Sequence, residues 1–372
     1  MNATISAERR WMEKYRMSLH WKKTLGHFIP AHIHDPFGLT LRMLRSQEPA
    51  AYFSMAIALL GVLCTPLDLI FQLVERQYYK SKEMTDLPLI FVCGVSRTGT
   101  TVTSQILIKY LPVGYLSNVI ALFPRSPIIS TLLFDRFLNK QAINYRSYYG
   151  KSSYFSGPNE GFFLWNHWMK ADKDGVRCLL MEDKKEEMAR FFHAYLSVLG
   201  KPLLHKHNDL SMCASAVAEA LPKAHFICMT RDPAYLAQSL LIARTEIQGD
   251  IHIRYGVNDP HLPGSDDYVE DVCRQVLFHE RTLRAQEKRI GPQRFWIVSY
   301  EEFCAKPYEL VNRVSEHILG KALDPKASNT TLPPLRCSNT IKVAPDIFAR
   351  IEHTLQRLHH TETTVEDTLS LL

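Results

Sequence analysis

The distribution of apolar and polar positions divides the chain in two. From Ala50 to Leu67 the sequence runs without a charge, within PAAYFSMAIALLGVLCTPLDLIFQLV (49–74), broken only by Pro66 and then by Asp68. That length sits near the lower limit for a membrane-spanning helix, about 17–20 residues. Lys22, Lys23, Arg42 and Arg45 precede the run, and by the positive-inside rule they would hold the N-terminus in the cytosol if it crossed a bilayer. The preceding residues are themselves rich in aromatic and apolar side chains, and only a short stretch separates the run from the next apolar segment. The pattern predicts a helical hairpin that packs on the domain or dips into one leaflet, with a single spanning helix as the alternative.

Beyond residue 86 short apolar runs alternate with helical segments, as in a parallel sheet covered on both faces. PLIFVC (88–93) has the continuous apolar character of a strand buried on both sides, and Thr100–Tyr110 reads as the helix that follows. HFICMTRDPAYLAQSLLIAR (225–244) repeats the unit: the strand ends at Thr230, Asp232 caps the helix and Pro233 takes its first position. Further strands are expected at 202–206 and 294–300, and helices at about 183–199, 211–221, 268–289 and 306–319. Residues 248–267, rich in Gly, Pro and Asp, read as a long loop or lid. The expected architecture is a three-layer α/β domain over 87–372, preceded by an apolar helical extension over 1–86.

Composition changes this picture little. A chain of 372 residues that is 46% apolar can fill a large core, and 44 Lys and Arg against 38 Asp and Glu leave a charge of +6. That mild excess suits a small anion or a membrane surface and does not call for nucleic acid. The cysteines, at 64, 93, 178, 213, 228, 273, 304 and 337, form no C-x-x-C pair. Free thiols in a reducing, cytoplasmic compartment are expected, and no metal. No repeat and no cleavable signal sequence is read at the charged N-terminus. The sequons at Asn2 and Asn329 are too common to place the chain.

The chemistry begins in FVCGVSRTGTTVTSQIL (91–107). The Walker A pattern is met at Gly94, Gly99 and Thr101, but Thr100 stands where the lysine belongs. Backbone N–H groups at a helix start attract an anion. Arg97 supplies charge, and Thr98, Thr100 and Thr101 offer hydroxyls around Gly99. In the second unit Arg231 ends a strand and Ser239 lies two helical turns on, a combination suited to a separate phosphate. Two anion sites on one sheet point to a ligand phosphorylated at both ends.

PLIFVCGVSRTGTT resembles the 5′-phosphosulfate loop of sulfotransferases, and FICMTRDPAYLAQSL resembles their 3′-phosphate motif, the arginine-to-serine interval included. FWIVSYEEFCAKPYELVNRV is similar to the strand and turn that follow, so the likeness covers roughly 88–320. It implies a P-loop-like fold and 3′-phosphoadenosine 5′-phosphosulfate as sulfuryl donor, with Arg97 where the family carries Lys or Arg. LLHKHND (203–209) resembles the segment in which a lysine and a histidine serve the sulfonate; depending on the alignment, Lys206 matches that lysine or His207 matches the catalytic histidine of the cytosolic branch. Glu160 in SGPNEGFFLW is similar to the glutamate after a proline in bacterial and membrane-associated members. The expected reaction is in-line transfer to a hydroxyl of a carbohydrate, lipid or small molecule, with Glu160 or His207 as base and Lys206 supporting charge. The aromatic stretch 144–169 is a candidate acceptor wall. The late RKG motif of the cytosolic branch is absent; Arg336 or Lys342 in RCSNTIK would have to serve. The rivals are a small-molecule P-loop kinase, although no strand ends in a Walker B aspartate, and a non-catalytic membrane-associated nucleotide-binding protein.

Overall fold

The computed structural model describes residues 33, 35–80, 85–138, 143, 145, 147–171, 177–262, 264–321, 332 and 334–370. Lys22, Lys23 and the sequons at Asn2 and Asn329 lie outside them. Helices α1 (Pro36–Arg45), α2 (Pro49–Leu63) and α3 (Thr65–Glu75) lead into strand β1 (Leu89–Gly94), helix α4 (Thr100–Tyr110) and strand β2 (Gly114–Tyr115). Helix α5 (Pro127–Phe134), a two-strand turn β3 (Ser147–Tyr148) and β4 (Lys151–Ser152), and helix α6 (Phe162–Trp168) follow. A second small pair, β5 (Met169–Ala171) and β6 (Arg177–Leu180), precedes α7 (Lys185–Leu199), β7 (Leu203–Lys206), α8 (Leu210–Ala220), β8 (Ala224–Thr230) and α9 (Pro233–Ala243). The chain continues through α10 (Tyr268–Ile290), β9 (Phe295–Ser299), α11 (Tyr300–Ala305) and α12 (Pro307–His317) to α13 (Pro345–Ser370).

Five of these strands form one parallel sheet in the order β2-β7-β1-β8-β9, and β3–β4 and β5–β6 are separate antiparallel pairs. Every residue of β1 is buried, and alternate side chains feed opposite faces. Leu89, Phe91 and Cys93 enter a core with Trp165, Phe192 and Phe226, while Ile90 and Val92 pack with Ile106, Ile227 and Met229. This two-sided burial is why the strands read as unbroken apolar runs, and it makes the domain three-layered. All five strands share one direction, so the carboxyl ends of β1, β7, β8 and β9 lie along one edge. Asp232 accepts from the N–H groups of Ala234 and Tyr235, as its capping position predicts. The loop expected over 248–267 is tied down: Arg254 grips Asp271, and Val257 O accepts from Gln275 Nε2 at 2.7 Å.

The apolar segment departs from its expected form. Instead of an antiparallel hairpin, α2 and the helical stretch from Thr65 meet at 71°. The break falls at Cys64, because Pro66 occupies the first turn of α3, where its missing N–H costs nothing. Among the described residues no single helix is long and apolar enough to cross a membrane, though this bent pair passes by length and composition. Helix α3 turns its polar side inward. Asp68 (0% exposed) accepts from Arg125 N and Ser126 Oγ and pairs with the Arg125 guanidinium at 3.2 Å. Glu75 (1% exposed) accepts from Ile128 N, Ile129 N and Tyr79 Oη. These contacts fasten α3 to the start of α5.

Burial outweighs those hydrogen bonds and pushes the Glu75 carboxyl up from 4.5 to about 7. The folded state then holds this proton longer than the unfolded chain. Its contribution to stability is full below pH 4.5 and is lost as pH rises toward 7. Relative to wild type, Glu75→Gln is therefore expected to gain stability between those values and hold a constant offset above them, checked by denaturant titration across the window.

Candidate active site

The loop after β1 is shaped by close approach. Gly94 takes φ +130°, and a Cβ there would lie 2.5 Å from Met229 O on the neighbouring strand. A Cβ on Gly99 would meet the Tyr300 ring at 2.4 Å. Both glycines are thus required by packing as well as by backbone angle. Arg97, between them, adopts φ +80°, a region that disfavours side chains. It is held there from both sides: Arg97 Nε donates to Ser239 Oγ at 3.1 Å, and Arg231 Nη1 donates to Arg97 O at 3.0 Å. The two sequence units meet through these bonds.

Arg231 Nε also donates to Asn339 Oδ1 at 2.8 Å, and its guanidinium covers the Tyr300 ring at 5.2 Å. Burial lowers its pKa, with Tyr300 acting in the opposite direction and Arg97 reinforcing the fall. Among the described residues neither Arg97 nor Arg231 has a carboxylate partner. Both instead line an open cavity of about 460 Å³ with Ser239, Ser338 and Lys342. An adjoining cavity of about 150 Å³ is lined by Gly99, Thr100, Thr101 and Asn208 and shares Arg97, Tyr149 and Arg231. Glu48 and Glu246 line the larger cavity as well, so its charge is mixed; two guanidiniums without a direct ion pair beside a helix N-terminus are nevertheless suited to an anion. Thr100 Oγ1 donates to Asn208 Oδ1 at 2.9 Å, while Thr98 turns inward and donates to Val95 O at 2.7 Å.

The acceptor-side residues differ in placement. Lys206 Nζ lies 2.5 Å from Glu160 Oε1, both side chains nearly buried. His207 (0% exposed) points its Nδ1 at Glu160 O, 3.1 Å away, and stacks on Trp165 with centroids 5.0 Å apart. His205 is likewise buried, accepting from Trp165 Nε1 at 2.8 Å; burial, aided by Lys206, pushes its pKa down to about 3. Glu160 lines a third cavity, of about 100 Å³, whose walls include Phe53, Ile57, Phe162 and Phe163; His207 does not. Gly150 borders this cavity and the one at the loop. A Cβ on Gly150, at φ +91°, would lie 2.7 Å from Glu160 Oε1 and 3.3 Å from Lys206 Nζ. The Glu160–Lys206 pair therefore stands where the two cavities adjoin.

Several contributors escaped sequence reasoning. Tyr149 lies under the Arg97 guanidinium, 4.5 Å from its ring centroid, and its hydroxyl donates to Glu246. Lys151, its amine destabilised in the charged form by burial, borders the same small cavity as Glu160. Ser338 and Asn339 brace Arg231 from a coil that Gln238 holds by accepting from Lys342 N at 2.6 Å. None of these sits in a spaced motif; their only signal was the aromatic density of 144–169 and the basic coil 336–342. That density divides: Trp165 and Trp168 are core, while Phe162 and Phe163 face the cavity. Of the two late basic candidates, Lys342 lines the large cavity and Arg336 borders none of these three.

The fold is that of a P-loop-like α/β protein, with arginines and hydroxyls along the carboxyl edge of its sheet. The chain belongs to the sulfotransferase family, whose model matches residues 88–321. Omega-hydroxy-beta-dihydromenaquinone-9 sulfotransferase Stf3 of Mycobacterium bovis and of Mycobacterium tuberculosis are each 22% identical over 254 residues, covering 62% of this chain. The chain spans 62% of the length of these relatives. Among solved structures, sulfotransferase STF9 from Mycobacterium avium matches 82% of this chain and 77% of its own at 18% identity and TM-score 0.46. STF1 from Mycobacterium tuberculosis H37Rv matches 88% and 92% at 13% identity and TM-score 0.47.

Proposed function

We propose that this protein transfers a sulfuryl group from 3′-phosphoadenosine 5′-phosphosulfate to the hydroxyl of an acceptor. The observation that carries this reading is the continuity of the edge: two guanidiniums without a direct ion pair among the described residues line adjoining cavities, and at Gly150 these meet a small cavity lined by Glu160, whose carboxylate pairs with Lys206. The donor supplies the activated sulfuryl group. Arg97 and the N–H groups and hydroxyls of the loop, with Thr100 and Thr101 at its helix start, hold the 5′ end; Arg231 and Ser239 hold the 3′-phosphate.

Glu160 is the favoured base. It is the one of the two candidates that lines the small cavity, where a carboxylate can take a hydroxyl proton. His207 is enclosed by Trp165 and Phe162 and serves to set the backbone of Glu160. As the acceptor oxygen bonds to sulfur and the sulfur–oxygen bond to the 5′-phosphate breaks, the proton passes to Glu160, and Lys206 offsets the charge left on the departing oxygen. The catalytic unit takes in the extension, because α2 supplies Phe53, Ile57 and Ala58 to the acceptor cavity.

Isothermal titration with 3′-phosphoadenosine 5′-phosphate, beside ATP with Mg²⁺, tests the donor reading. The bisphosphate is expected to bind at least tenfold more tightly, the order of one charge-assisted contact. Preference for ATP would favour the kinase reading. Binding without transfer to any alcohol tested would leave a nucleotide-binding protein.

A further inference from the structure

We propose that the α2–α3 elbow is an anchor lying in the surface of a lipid bilayer, and that the cavity behind it receives the hydroxyl end of a membrane-borne amphiphile. This rests on the transfer reading above and names its acceptor class. The first observation is that α3 is amphipathic the wrong way round for a helix facing water. Its polar residues, Asp68, Gln72 and Glu75, are spaced to share one face and are buried against the domain. The opposite face presents Ile70 (59% exposed), Leu73 (62%), Leu67, Leu69 and Val74 outward.

That bare face continues onto its neighbours. Helix α2 exposes Leu59, Leu60, Val62 and Leu63, α1 exposes Phe37 (86%) and Leu41, and the α5 region exposes Leu132, Leu133 and Phe137. A patch drawn from three consecutive helices and the α5 region against which α3 packs is not scattered surface leucine; apolar faces of this kind mark interaction sites. Its chemistry favours lipid. No charged residue occurs from Ala50 to Leu67, while Arg45, Arg76, Lys80 and Arg136 occur near the ends of the elements that form the patch, outnumbering the acidic Glu48 and Asp135 there; Arg42 is taken up by Asp35 and by the Glu246 and Ile247 carbonyls. Basic residues around an apolar face suit the headgroup layer of an anionic membrane. Spanning is disfavoured by the same contacts that fasten α3: crossing would require Asp68 and Glu75 to leave the backbone N–H groups of Arg125, Ile128 and Ile129.

The second observation concerns size. The acceptor cavity holds about 100 Å³, against the roughly 300–1,000 Å³ that encloses a drug-sized ligand. Only the reacting end of an acceptor fits beside Glu160. Phe53, Ile57 and Ala58 of α2 form one wall, and the same helix carries the exposed leucines, so an acyl or prenyl-like tail can lie along α2 into the bilayer while its terminal hydroxyl reaches the site.

Flotation with vesicles of phosphatidylcholine and phosphatidylglycerol tests the anchor, using the full chain and the variant Ile70→Asp/Leu73→Asp. Wild type is expected to float, and the variant to lose vesicle partition by at least tenfold, the order set by two apolar anchors replaced by charges. Turnover of a long-chain alcohol in vesicles is expected to fall with it, while turnover of a short, water-soluble alcohol is unchanged. Leu59→Ser/Leu63→Ser on α2 keeps the test open if the first variant misfolds. Titration with 3′-phosphoadenosine 5′-phosphate separates the two readings: failure there in wild type removes the transfer reading, whereas normal binding with no flotation overturns the anchor. A wild-type dimer in solution that the substitutions dissolve would assign the patch to a second copy of the chain. Equal turnover of vesicle-borne and soluble alcohols would overturn the acceptor class.

Discussion

Replacing Glu160 with glutamine is expected to lower kcat by a factor on the order of 10²–10⁴, the range of a positioned general base, while affinity for 3′-phosphoadenosine 5′-phosphate stays within a few-fold. Glutamine keeps the shape and can still accept from Lys206, but it cannot take the acceptor proton at neutral pH. The variant also leaves the Lys206 ammonium, nearly buried, without its counter-charge. Some loss of stability is expected on that ground, and a thermal melt run beside the kinetics separates it from the chemical step. His207→Gln is the matched control. Because His207 is enclosed and stacked on Trp165, its loss should appear in the melt more than in kcat. A large fall in kcat for His207→Gln, with Glu160→Gln near wild type, would transfer the base assignment to the histidine.

Arg231→Ala is expected to weaken binding of 3′-phosphoadenosine 5′-phosphate by about 10- to 100-fold, the range for hydrogen bonds to a charged group. The guanidinium does two things. It faces the large cavity, and it braces the loop through Arg97 O and the coil through Asn339. Adenosine 5′-phosphate, which lacks the 3′-phosphate, separates these roles in a cycle with Arg231→Ala. If the arginine reads the 3′-phosphate, wild type prefers the bisphosphate and the variant does not. Equal weakening for both nucleotides would mean that Arg231 acts only by bracing. Arg231→Lys should recover part of the affinity at most, since an ammonium cannot reproduce the guanidinium's fork.

The main elements were legible because their signals are local. A buried parallel strand must be apolar on both faces, so β1 and β8 are visible as runs, and the cap at Asp232 with Pro233 marks the start of α9. The loop glycines, Arg97, Arg231 and Ser239 stood at spacings within one strand-loop-helix unit each. The apolar segment was visible too, but its shape was not: Pro66 announces a break, whereas the 71° elbow follows from where Asp68 and Glu75 find N–H donors on α5. The inward side of α3 could not be read as such, since an apolar face outward and a carboxylate face inward contradict the usual assignment for a helix in water.

The sequence by itself determined the order of the main buried strands and the helices that follow them, the loop without its lysine, and the residues able to carry anion and proton chemistry; the short strands β2 to β6 and helices α5, α6 and α13 were not read from it. The tertiary structure alone decided which of them meet. Arg97 and Arg231, 134 positions apart, are bonded because β1 and β8 are neighbours in the sheet. Glu160 and Lys206, 46 positions apart, are paired at the turn of Gly150, and His207, one residue on, is enclosed in the aromatic core. Neighbouring strand residues face opposite sides of a sheet, and a side chain's reach is only a few ångströms, so adjacency in the chain cannot foretell adjacency at a site. Burial of the two carboxylates of α3 likewise depends on a partner more than fifty residues away, which no local pattern records.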